Sequence, residues 1–310
     1  MTEHGSVVIA LDGSPHSAQT LEWGMAEAVL RGTDAILVRA CPGTRDINRI
    51  GWYPLLEDEM FEAESRAYLE KTLPRVRERW PDVEVSTRLL HGSEVPVLRD
   101  ISRGAALLVI GARGRSGRRR LGSTGAHIAA HALSPVAVVR DVRAPSDSPA
   151  PVVVGVDGSP SSLLAARLAA AEASLRGAPL VVVHARPKKS GRRADGEQAS
   201  VGDRGASDER ASTDGMAEVA RTLAGDHPGL DVTVDVRLDD PARALIAAGR
   251  DAQLIVVGSR GLGAFRGILM GSVSSEVLRK AERTVLVVRT GPEDATHGDA
   301  PAGGSEEIDG

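Results

Sequence analysis

The chain has 310 residues, room for two ordinary domains, and its 42% hydrophobic and 26% charged content is a globular balance. A formal net charge of −4 gives no overall basic field, so nucleic acid and anionic membrane are not expected partners. No apolar run approaches the ~20 residues of a membrane helix, the opening MTEHGSVVIALDGS lacks a basic leader with a long apolar core, and the single cysteine, Cys41, excludes an internal disulfide and a Cys-based zinc site, so a cytoplasmic protein is the expectation.

In chain order, strands are expected near 6–11, 35–40, 83–89, 106–110 and 136–140, alternating with helices. The first helix reads as capped by Ser14 with Pro15 at its first position, carries the apolar stripe Ala18, Leu21, Met25 and Ala28, and ends before Gly32. Cys41, just past the second strand, reads as a small half-buried filler, because no activating histidine or metal motif adjoins it. After the fourth strand comes the loop GARGRSGRRRLGST, with Gly111, Gly114, Gly122 and Ser123 and the arginines 113, 115, 118, 119 and 120. His127 and His131 sit at i and i+4 in the helix that follows, with no third metal ligand evident. A Pro-, Ser- and Asp-rich stretch, 141–151, reads as a linker.

Beyond it the pattern repeats. VVIALDGS at 7–14 becomes VVVGVDGS at 152–159, an offset of 145 residues. Val109-Ile110-Gly111 matches Val256-Val257-Gly258 at 147, and Gly122-Ser123 matches Gly271-Ser272 at 149. So long a period is a duplicated domain, about 1–143 and 149–290, and not a solenoid. Strands recur near 152–157, 179–184, 231–237, 253–257 and 284–289, and the stripe recurs as Leu163, Ala166, Ala170 and Ala173 behind Ser159-Pro160. Near-continuous Val/Ile/Leu runs suit strands buried on both faces of a parallel sheet. Right-handed crossovers then give two tandem copies of an open, doubly wound, five-stranded Rossmann-like α/β domain, with ligands at the carboxyl ends of the strands. Residues 187–215 have almost no large apolar side chain and read as a disordered insert, and 291–310 as a disordered acidic tail.

The chemistry concentrates in the loop after the fourth strand of copy two, GSRGLGAFRGILMGSVSSEVLRKA. Gly258, Gly261 and Gly263 suit left-handed turns and close approach to a ligand, and successive amides there form an anion-binding nest. Ser272 stands where a helix N-cap belongs, so Gly271 and Ser272 are placed to hold a phosphate at a helix N-terminus. Asp157, ending the first strand, is either a ligand contact for a ribose, a base amine or a metal, or simply the head of an Asx turn.

Gly258-x2-Gly261-x9-Gly271-Ser272 fits the G-2x-G-9x-G-S/T signature of ATP-binding universal stress proteins, and VGVDGSP at 154–160 and VVVHA at 181–185 look like that family too. The chain resembles its tandem-domain members across 6–140 and 152–289. The resemblance implies five-stranded parallel sheets, ATP between the first and fourth strand ends, and dimerisation through the last strand. It implies that Asp157 and the backbone near Ala185 contact the nucleoside, while Gly258, Gly261, Gly271, Ser272, Val273 and Ser274 hold ribose and phosphates. Copy one is the degenerate counterpart: Asp12, Gly111, Gly114, Gly122 and Ser123 remain, but its loop is two residues short and arginine-rich, and Arg39, Ala40 and Cys41 stand at the adenine-side strand end.

The expected function is an ATP-binding stress-response regulator without catalytic residues, its nucleotide, with or without Mg, acting as a ligand that biases conformation or partner choice. A slow ATP-hydrolysing or adenylating enzyme of the same fold group and a nucleotide-free interaction module are the alternatives. Against the enzyme, both copies carry DGSP in place of an SGGxDS-type loop, and there is no P-loop. The apolar last strands, VAVVR at 136–140 and TVLVVR at 284–289, are edge liabilities unless paired, so the copies are expected to pair within one chain, with a homodimer as a further option.

Overall fold

The computed structural model describes residues 5–41, 55–112, 122–140, 149–187, 201–262 and 270–289, with side chains left undescribed at 55–58, 123 and 201–212. Copy one runs β1 (Val7–Ala10), α1 (Ser17–Arg31), β2 (Ala35–Cys41), α2 (Leu55–Arg79), β3 (Val85–His91), α3 (Glu94–Ser102), β4 (Leu107–Gly111), α4 (Ser123–His131) and β5 (Val136–Val139). Copy two follows as β6 (Val152–Gly155), α5 (Pro160–Leu175), β7 (Leu180–Ala185), α6 (Val201–Asp226), β8 (Val232–Arg237), α7 (Pro241–Ala248), β9 (Leu254–Gly258), α8 (Ser272–Lys280) and β10 (Val285–Val288).

All ten strands join one sheet in the order β3-β2-β1-β4-β5-β10-β9-β6-β7-β8. Each half is parallel and winds outward from its first strand, then returns past it, so the order reverses between β1 and β4 and between β6 and β9. The halves meet antiparallel, Val285 opposite Val138 and Val287 opposite Val136. The sheet is covered on both faces. Met25 of α1, Leu69 of α2, the alanines of α5 and Leu223 of α6 pack on one face. Leu98 of α3, Ile128 of α4, Leu245 of α7 and Leu278 of α8 pack on the other. This is why β1, β4, β5, β9 and β10 read as unbroken apolar runs.

The first helices depart from the expected stripe. Ala18 is exposed and Leu163 is 36% exposed, while Ser17 and Ser162 are buried in their place. Those two hydroxyls are held by the turn entering the helix: Ser17 donates to Asp12 Oδ1 at 2.7 Å and Ser162 to the Ser159 carbonyl at 2.9 Å. Polar partners thus outrank apolar pattern in the first turn. Ser159 caps α5 as expected, accepting from Ser162 N–H at 3.2 Å with Pro160 behind it. In copy one the helix starts later, at Ser17, and Ser14-Pro15-His16 form a turn. Gly32 ends α1 with a left-handed φ of 61°.

Disorder over 187–215 is corrected for its second half, because α6 begins at Val201. Met216 and Leu223 are buried and Val219 partly so, at helical spacing, which anchors the helix to the sheet. The Ala-, Glu- and Arg-containing stretch before them has enough helix propensity to extend the helix backwards. Residues 188–200, most of the linker and the tail lie outside the described residues. Among the described residues no helix is long and apolar enough to cross a membrane.

Candidate functional site

In copy two the site grows from the turn after β6. Gly158 adopts φ 87°, and Asp157 Oδ1 accepts Ser159 N–H at 3.0 Å, an Asx turn that opens directly into α5. The other oxygen, Oδ2, reaches across the crevice and accepts Leu262 N–H at 3.0 Å. Asp157 is therefore the head of an Asx turn, and its carboxylate also lines the crevice. Burial opposes its ionisation most strongly, but hydrogen bonds from Ser159, Leu262 and Ser162 together outweigh that and hold its carboxyl below the usual range.

The glycines are needed for space rather than for left-handed backbone. Gly258 and Gly261 are absent from the positive-φ glycines, which corrects the expectation of left-handed turns there. A Cβ on Gly258 would stand 2.7 Å from Ser161 Oγ and 2.9 Å from the Ser161 carbonyl. On Gly261 it would stand 2.4 Å from Asp157 Oδ2. The loop closes where Gly271 N–H donates to the Ser259 carbonyl at 2.8 Å. Gly271, one residue before the expected cap, is the N-cap of α8, and no side chain caps that end. Amides of a first helical turn without a side-chain cap are the donors an anion uses.

These elements enclose a crevice of about 350 Å³. Asp157, Ala185, Gly258, Gly261, Gly271, Ser272, Val273 and Ser274, all eight residues singled out in copy two, line it. Ser274 is buried and its hydroxyl donates to the Gly258 carbonyl at 2.6 Å, so only its oxygen lone pairs face a ligand. Sequence reasoning missed Ser162, Pro241, Leu245 and Arg260, which also line the crevice. Pro241 opens α7, a helix start visible in sequence as Asp-Pro, but nothing local said that α7 would face the glycine loop.

Copy one has a crevice of about 320 Å³ at the equivalent place, lined by Asp12, Gly111 and Gly122 among the expected residues. Ser123 begins α4, directly after Gly122. Gly114 and the five arginines lie outside the described residues. Asp12 Oδ1 accepts both Ser14 N–H at 2.9 Å and the Ser17 hydroxyl. Burial again works against its charge, and the bonds from Ser14 and Ser17 prevail, lowering its pKa. Glu94 lines this crevice where copy two has Pro241, and Thr124 and Gly125 replace Val273 and Ser274. Cys41 is buried more fully than expected, with Sγ 3.4 Å from His91 Nδ1. His131 Nδ1 lies 2.7 Å from the His127 carbonyl, and no group of three His, Cys, Asp or Glu side chains that could hold a metal occurs among the described residues.

The family model described as the universal stress protein family matches residues 4–140 and again 150–289. A curated universal stress protein of Mycobacterium tuberculosis is 34% identical over 308 residues, covering 91% of this chain and 94% of that protein. One from Mycolicibacterium smegmatis is 34% identical over 300 residues, covering 93% and 98%. Among solved structures, a universal stress protein from Archaeoglobus fulgidus covers 93% of this chain and 97% of its own, with TM-score 0.66 and 19% identity, a likeness of fold.

Proposed function

The chain belongs to the universal stress protein family as a tandem-domain member, and on that premise we propose that copy two binds ATP as a regulatory ligand, the Gly258–Ser272 loop holding ribose and phosphates. The observation that carries this reading is the contact between Asp157 and the loop: its carboxylate bonds Leu262 N–H and leaves no room for a side chain on Gly261. A loop drawn that close to a first-strand carboxylate, beside a helix end without a side-chain cap, is organised for a ligand with both hydroxyl and phosphate groups. In this reading Asp157 and the backbone at Ala185 meet the nucleoside, Gly258, Gly261 and Val273 line the ribose and phosphate path, and Gly271 and Ser272 take the phosphates. Any Mg arrives with the triphosphate. The protein works in the cytoplasm, its copies paired along β5 and β10 in one chain, with chain dimers as a further level of assembly. Copy one, with Asp12, Gly111, Gly114, Gly122 and Ser123, is the weaker site.

Denaturing the purified protein and identifying the released nucleotide tests the ligand, and calorimetry on Gly261→Val tests the site. A Cβ 2.4 Å from Asp157 Oδ2 must displace either the carboxylate or the loop and so part the two, so ATP affinity should fall by about a hundredfold, ~2.8 kcal/mol. Gly271→Ala is the informative partner: its Cβ meets nothing nearer than 3.7 Å. It should keep the melting temperature and lose affinity only if a ligand occupies that space. Unchanged ATP affinity in folded Gly261→Val would remove the assignment.

A further inference from the structure

The two crevices share one plan, and one exchange changes what the strand-and-helix wall of copy one can recognise. Ser93 stands at the N-cap of α3 and Asp240 at that of α7, so Glu94 and Pro241 are the first residues of equivalent helices. Both line their crevices, each four residues before a leucine, Leu98 or Leu245, that lines it too. Val38 and Ala40 of β2 complete the wall in copy one, as Val183 and Ala185 of β7 do in copy two. In the reading proposed above, on which this inference rests, that wall meets the nucleoside, while Asp12, Gly111 and Gly122 stand where Asp157, Gly258 and Gly271 stand in copy two.

Proline offers a base edge no hydrogen bond from its ring and has no N–H. A glutamate in a first helical turn suits the helix dipole wherever it points. Glu94, however, also lines the crevice, and among the described residues its carboxylate makes no ion pair or hydrogen bond. An ionised carboxylate can only accept. The outer edge of guanine presents two adjacent donors, N1–H and the N2 amine, which one carboxylate takes in parallel. Adenine presents a single donor, at N6, beside the N1 lone pair, which a carboxylate oxygen repels. We propose that the copy-one crevice selects guanine nucleotides, with Glu94 reading N1–H and the N2 amine, so that the two halves of the chain bind different purines. The weakness of copy one toward ATP and its preference for guanine then have the same cause. Because Glu94 is exposed in the crevice, the discrimination lies toward the lower end of that for a bidentate contact, about tenfold.

The test is calorimetry on full-length Gly261→Val, which impairs copy two, with GTP, ITP and ATP titrated in turn. GTP should bind about tenfold more tightly than ATP, and ITP, which keeps N1–H but lacks the amine, should fall between them. Glu94→Gln in the same background alters an exposed helix start and keeps its shape. It should reverse the order, since a carboxamide donates to adenine N1 while accepting from N6. Equal affinities for GTP and ATP, no binding of GTP, or a GTP preference unchanged in Glu94→Gln would each overturn the proposal. The copy-two reading fails on a different result, absence of ATP binding in the wild type, which leaves the response to Glu94→Gln as the readout for copy one.

Discussion

The two copies are nearly interchangeable where they meet and unlike where they open. At the junction, Glu27 and Arg31 of α1 face Glu172 and Arg176 of α5, and each arginine bonds both glutamates in a ring with side chains at most 13% exposed. The four are two pairs at the repeat offset of 145. On the other side Arg140 donates to the Leu278 carbonyl in α8, and Arg289 to the Ala130 carbonyl in α4. Each copy's last strand therefore caps the crevice-lining helix of the other. At the crevices the correspondence holds for the turn, where each aspartate accepts the amide two residues on, and fails in the lining: Glu94 stands for Pro241, and Thr124 and Gly125 for Val273 and Ser274. A duplicated interface must stay complementary to its own copy, so change on one side is constrained by the other. A crevice answers only to its own ligand and is free to diverge.

The largest expected effect tests the shared half of that contrast. Arg176→Met leaves Glu27 and Glu172 facing each other with one arginine between them, and removing one partner of a buried ion pair costs about 3–5 kcal/mol. Replacing all four charges together by Leu and Met should recover most of that loss, because the desolvation of the whole ring is then relieved. Urea unfolding of both variants measures this. A single-variant loss below ~1 kcal/mol would mean that solvent screens the ring and that the β5–β10 ladder alone holds the copies.

A smaller effect sharpens the unlike half. Asp157→Ala should remove the tight phase of ATP binding in calorimetry, and Asp12→Ala should leave it. Copy two is expected to bind ten- to a hundredfold more tightly, ~1.4–2.8 kcal/mol, because its described crevice is lined by one carboxylate, Asp157, and by Arg260, while copy one adds Glu94 to Asp12. Glu94→Pro, which restores the copy-two residue, should narrow the gap. Two equal phases in the wild type would show that the shorter loop makes a full phosphate cradle, and loss of the tight phase in Asp12→Ala would reverse the order of the sites.

Much of this contrast was legible in the sequence. The repeat offsets gave the fold of each half, since buried parallel strands announce themselves as apolar runs and DGS followed by helix pattern marks the turn below the switch point. Of the eight copy-two residues that line one crevice, Gly258, Gly261, Gly271 and Ser272 came from a motif whose spacing is itself geometric, and Asp157, Ala185, Val273 and Ser274 from the resemblance. Space around an atom was not legible. Gly258 and Gly261 look like turn glycines in sequence, but they are clearance glycines, and only the positions of Ser161 and Asp157 say so. Nor was the ring at the junction visible: Glu27 and Arg31 read as an ordinary i,i+4 surface pair until Arg176 and Glu172 are brought against them. The start of α6 was missed because its anchors, Met216 and Leu223, lie beyond the polar stretch they hold.

The smallest effect compares the two aspartates by acid titration. Both carboxyls are held below the ordinary value of 3.8 by hydrogen bonds that outweigh burial. A group whose folded pKa is depressed binds its proton more readily when unfolded. Its contribution to stability is fully present above the unfolded pKa and disappears as pH falls through the folded one. Asp12→Asn and Asp157→Asn should therefore melt below the wild type at neutral pH, with both gaps closing in acid below the ordinary carboxylate range. Among the described residues, protonation in copy one loosens a local turn through Ser14 and Ser17, and in copy two it frees Leu262 N–H and with it the tie between the first strand and the glycine loop. The Leu262 amide, followed by nuclear magnetic resonance across the acid range, should titrate with a midpoint below 3.8 and stop titrating in Asp157→Asn. A midpoint at or above that value would mean that burial outweighs the hydrogen bonds. The loop would then be tied to the strand by packing at Gly261 rather than by the charge on Asp157.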